Sequence, residues 1–113
     1  MNEQQQDIVA GYAALLELNK KMIEIAVAGE WENLVEMKSE HLCQVETLMN
    51  IEYDVAVNDA FREAKRAVLI QIAATEQELR DRLQLRMDEL SGAISQARSQ
   101  RRVKKAYEKA AIC

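Results

Sequence analysis

Apolar side chains recur along this chain at steps of three and four over three long stretches, the rhythm of helices that bury one face. The first stretch predicts a helix from about Gln5 to Ala28. Ile8, Tyr12, Leu15, Met22 and Ala26 form its stripe, Asn19 fills the missing position, and Val9, Leu16 and Ile23 widen it. Gly29 comes next, the residue that most readily ends a helix in the left-handed conformation. The second helix is predicted from about Glu30 to Glu52, with Glu30 and Glu32 at the dipole-favoured start. Its inward face is expected to be Trp31, Leu34, Val35, Leu42, Val45, Leu48 and Met49, with Lys38 and His41 on or beside it. So short a connection predicts an antiparallel hairpin. Residues 53–59 read as a loop, and Asn58 or Asp59 suits the N-cap of a third helix.

The third stretch, from about Asn58 to Arg102, holds no proline and a single glycine, Gly92. Phe61, Ala64, Val68, Ile72, Leu79, Leu83, Met87, Leu90, Ile94 and Ala97 run along it. It spans about 66 Å at ~1.5 Å per residue, roughly twice either predecessor, so its far part must overhang them. Ser95, Ser99 and the Gln100-Arg101-Arg102 run are expected to loosen its end. A short fourth helix is predicted from Val103 to Ala111, with Val103, Ala106, Tyr107 and Ala110 on one face. The fold class expected is all-α: an antiparallel hairpin (1–57) packed on a long helix (58–102), with a basic C-terminal helix (103–113), all in one domain.

Composition agrees. The 113 residues include no proline, three glycines and 49% hydrophobic residues. The apolar runs are far shorter than the ~20 residues a transmembrane helix requires, and the start lacks a signal-peptide pattern. A net charge of −4 conceals a split. Residues 1–59 carry 12 acids and 3 bases, whereas residues 60–113 carry 7 acids and 12 bases. Six of those bases, Arg98, Arg101, Arg102, Lys104, Lys105 and Lys109, stand close together, as in an interaction segment.

Catalytic chemistry finds no footing, and no catalytic, metal or cofactor residue is assigned. His41 is the sole histidine, and Lys38 stands three residues upstream where a di-iron bundle would need Glu. Cys43 and Cys113 have no metal or redox spacing and read as reduced cytoplasmic thiols. No glycine-rich phosphate loop or nucleophile elbow occurs. Lys38 and Arg86 read as stripe-edge residues with solvated heads rather than substrate clamps. The basic segment could contact phosphates, but Tyr107 is its one aromatic residue and the acidic first half would repel DNA. An acidic protein surface explains the same bases. Most of the methionines read as core, and Met87, on the overhang, as an adaptable contact.

Five segments carry a family likeness: Gly29-Glu30-Trp31-Glu32-Asn33-Leu34-Val35, Val45-Glu46-Thr47-Leu48-Met49, Glu76-Gln77-Glu78-Leu79, Arg86-Met87-Asp88-Glu89-Leu90-Ser91 and Ala106-Tyr107. In order and spacing the chain resembles the flagellar export chaperone family FliT. The resemblance implies a cytoplasmic helical chaperone for the filament-capping protein FliD. It further implies links to the flagellar regulator FlhDC, the export ATPase complex and the export gate. It also implies that the C-terminal segment, here Val103 to Ile112 with Tyr107 as anchor, restrains access to partner sites.

Partner binding is accordingly expected on Leu79, Leu83, Met87, Leu90 and Ile94, covered in part by Val103, Ala106, Tyr107 and Ala110 folding back. Arg98, Arg101, Arg102, Lys104 and Lys105 are the expected basic partner contacts. Two alternatives stand beside this reading: a homodimeric coiled-coil scaffold, and a nucleic-acid binder using the basic segment.

Overall fold

The structure, a computed structural model, describes residues 1–112; a role for Cys113 lies outside them. It is all helical among those residues, with α1 at Glu3–Val27, α2 at Trp31–Glu52 and α3 at Asp59–Ile112. The chain divides into two compact units, Met1–Arg82 and Leu83–Cys113. The division falls inside α3 rather than at a helix end.

Each helix of the first unit starts and stops for a local reason. Asn2 and Gln5 form a capping box that begins α1 two residues earlier than the apolar rhythm implies. Asn2 Oδ1 accepts from the Gln5 amide at 2.8 Å, and Gln5 Oε1 accepts from the Asn2 amide at 3.1 Å. At the other end Gly29 has φ +75°. Its amide donates to Ala26 O and the Glu30 amide to Ile25 O, each at 3.1 Å. That paired pattern is a Schellman motif, which satisfies the last carbonyls of a helix. Asn58 caps α3, its Oδ1 accepting from the Phe61 amide at 2.9 Å.

Side-chain contacts set the helix directions within this unit. Tyr12 meets Glu52 while Ala26 packs with Leu34, so α2 runs antiparallel to α1. Gln5 bonds Asn58 and Asn19 bonds Thr75, so the start of α3 runs parallel to α1. One core cluster joins Ile8, Leu15, Leu16, Leu48, Phe61 and Ile72 from all three helices. A second joins Met22, Ala26, Leu34 and Leu79. Gly11 lets α2 come close, since a Cβ there would stand 2.7 Å from Leu48 Cδ1.

Two expectations require correction. Among the described residues there is no separate fourth helix: α3 continues through Val103 to Ile112. The polar run at 95–102 does not loosen the helix, because Arg and Gln are good helix formers and neither Gly nor Pro occurs after Gly92. The inward face of α2 is also rotated. Leu34, His41 and Leu48 are buried, and the equally spaced row one residue on, Val35, Leu42 and Met49, is exposed. Both rows recur every seven residues. His41 therefore sits at the centre of the buried face rather than on its edge.

Candidate functional site

The second unit is helix alone, about 45 Å long from Leu83 to Ile112 at ~1.5 Å per residue. The partner-binding residues expected from the sequence divide here. Leu79 is 6% exposed and belongs to the first unit's core, so it drops out of the stripe. Leu83, Met87, Leu90 and Ile94 are 37%, 62%, 45% and 53% exposed. Their spacing of four, three and four places them on one side of α3, the pattern of a coiled-coil seam.

The residues expected to regulate access lie elsewhere. At roughly 100° per residue, Val103, Ala106, Tyr107 and Ala110 sit about 130–170° around the helix from the Leu83–Ile94 stripe. All four are exposed. Val103 and Tyr107 flank a shallow depression with Gln96 and Gln100. In an unbroken α3 they cannot cover the stripe, so the expected fold-back contact does not form. The bases Arg98, Arg101, Arg102, Lys104 and Lys105 are all exposed on the same helix.

The first unit presents apolar surface at three positions expected on the inward face of α2, Val35, Leu42 and Met49. Tyr53, just past α2, and Leu69 and Ile70 on α3 are exposed as well. A signal for this rotation exists in the sequence. His41 stands seven residues from both Leu34 and Leu48, so it completes one of two competing rows even though it is that row's lone polar member.

Three polar groups hold this unit at α2's C-terminal end. Glu52 accepts from the Tyr12 hydroxyl and from Lys65 Nζ, and Lys65 Nζ lies 5.4 Å from the centre of the Tyr12 ring. Burial opposes the Glu52 charge, yet the bonds from Lys65 and Tyr12 prevail and hold its pKa below the usual carboxylate range. Burial, then the bond and charge of Glu52, push the Tyr12 phenol well above its ordinary value. These are structural linkages, since all three side chains are spent on one another. No group of three or more metal-ligating side chains occurs among the described residues. Likewise, no described helix is long and apolar enough to cross a membrane.

The second unit thus offers an exposed apolar stripe followed along the helix by exposed cations. A family model described as "Flagellar protein FliT" matches residues 9–109. Flagellar protein FliT of Serratia proteamaculans is 34% identical over 105 residues, covering 93% of this chain and 86% of that protein. The Yersinia enterocolitica protein of the same name is 32% identical over 109 residues, covering 93% and 88%. That of Pectobacterium atrosepticum is 30% identical over 100 residues, covering 88% and 79%.

Proposed function

Since the chain belongs to the FliT family of flagellar proteins, we propose that it is a cytoplasmic export chaperone that holds the filament-capping protein FliD before secretion. The observation that carries this reading is the exposed seam of Leu83, Met87, Leu90 and Ile94. Four large apolar side chains on one face of a helix are suited to an amphipathic client helix, which binds by i, i+3, i+4, i+7 anchors. Full burial of each such side chain stabilises a complex by ~1.5–3 kcal/mol gross, before the cost of association. The protein acts by binding rather than by catalysis. The transcription regulator FlhDC, the export ATPase complex and the export gate are proposed as further partners.

The test uses purified FliD and a Leu83→Asp/Leu90→Asp variant. The wild-type chain is expected to retain FliD, and the variant to bind at least roughly ten-fold more weakly. Both side chains lie outside the core of the first unit, so circular dichroism and melting of that unit should be unchanged. Equal retention by the two proteins would overturn the assignment of the seam.

A further inference from the structure

The seam does not stop at Ile94. Continuing along α3 by steps of four, three and four, the same face carries Arg98, Arg101 and Lys105, with Lys109 at its edge. One stripe of the second unit is thus apolar for its first half and cationic for its second. Arg102 and Lys104 stand on its two flanks, and Glu108 is the one acid on the stripe itself. The cationic half reaches about 22 Å beyond Ile94 at ~1.5 Å per residue. These side chains are exposed, and the ion pairs of the described residues involve Lys20, Arg62, Lys65 and Arg86 rather than any of these bases.

We infer that the client segment is an amphipathic helix of bipartite chemistry: an apolar stripe of about three turns, continued at one end by two or more turns of Asp and Glu on the same face. This rests on the client-binding reading of the seam and specifies it. Charge decides between occupants. A second copy packed in parallel register on this stripe would set Arg98, Arg101 and Lys105 against themselves. Packed antiparallel over the whole unit, it would set them against Leu83 to Ile94, where burying unpaired cations is costly, and shifted to pair the apolar halves it would leave the cations outside the contact. A nucleic acid matches the cationic half alone and leaves the four apolar side chains in water. A partner with acids past its apolar stripe satisfies both halves. Acids at a helix N-terminus also suit that helix's own dipole, so a client bearing them there runs antiparallel to α3.

The experiment titrates the full chain against three labelled synthetic helices of about 24 residues, a length that supports helix formation in water. They share one apolar stripe. At the N-terminal end they differ, carrying four Glu, four Gln or four Lys on the same face. At low salt the Glu peptide is expected to bind roughly ten-fold or more tightly than the Lys peptide, with Gln between. At about 0.5 M salt the three should converge, because exposed charges are then screened. Arg98→Glu/Arg101→Glu/Lys105→Glu should invert the order, and Leu90→Asp should weaken all three. Equal affinities at low salt, or an order the charge-reversal variant leaves unchanged, would overturn the inference while leaving the seam intact. Absence of binding by all three at ~100 µM, weaker than any useful chaperone affinity, would overturn the seam reading and the inference together. A duplex oligonucleotide bound more tightly than the Glu peptide, or a dimer by light scattering that Leu90→Asp dissolves, would also overturn it.

Discussion

His41 is the residue whose surroundings say most about the cost of this packing. It is buried on α2, and neither ring nitrogen has a hydrogen-bond partner. Burial, reinforced by the Lys38 charge, lowers its pKa below the ordinary imidazole value, and Glu76 pulls it partly back. The unfolded chain therefore takes up the proton more readily than the folded one. Stability is unaffected above the ordinary imidazole value and is lost as pH falls below it. His41→Leu roughly keeps the volume and removes both orphaned nitrogens. It is expected to stabilise the first unit by about 1 kcal/mol or more, and by more at acidic than at mildly alkaline pH, as read from melting temperatures across that range. A loss of stability at both ends of the range would mean the ring has a partner in solution. Asn19 is a milder case: its Nδ2 donates to Thr75 Oγ1 at 3.2 Å while its Oδ1 is unpaired. The apolar rhythm places Asn19 on the buried stripe correctly. It does not place His41 at the centre of its face, because two heptad-spaced rows on α2 compete and close packing at Gly11 and Leu48 selects between them.

At the scale of elements, helix ends are the most legible feature and helix continuity the least. Gly29 reads as a terminator because the left-handed conformation at φ +75° is one that side chains with a Cβ resist. Gly29→Ala should cost about 1 kcal/mol in urea unfolding; an unchanged midpoint would show that the turn between α1 and α2 relaxes to accept it. The capping box of Asn2 and Gln5 is carried by an Asn-x-x-Gln spacing that apolar periodicity alone does not detect. Gln5 is more than a cap, for its Nε2 donates to Ala56 O at 2.8 Å and its Oε1 accepts from Asn58 Nδ2 at 3.3 Å. It ties the start of α1 to the loop before α3. Continuity of α3 is hidden for the opposite reason. A polar run suggests a break, whereas charged and amide side chains sustain an exposed helix. The consequence is geometric: Val103 and Tyr107 are carried to the side away from the seam.

At the scale of the molecule, the division at Arg82 and Leu83 separates the buried core residues from an exposed apolar stripe. One apolar rhythm runs through both units, so periodicity does not mark where core ends and surface begins. That boundary depends on which helices are present to cover α3. Leu79→Ala should cost about 2–4 kcal/mol, as for other buried leucines, whereas Leu90→Ala should change stability by no more than about 0.5 kcal/mol. Urea unfolding of the two variants gives the comparison, and equal losses would place Leu90 in a core as well. The capping network, the two clusters and the Tyr12–Glu52–Lys65 linkage all lie in the first unit. Among the described residues the second has its backbone hydrogen bonds and exposed side-chain pairs such as Gln84 with Asp88 and Arg86 with Glu89. Solitary helix of this kind opens from its end at small free-energy cost, so its amides exchange with deuterium long before those of α1. Occupancy of the seam would slow that exchange between Leu83 and Lys109, giving the protein a built-in reporter of its own loading.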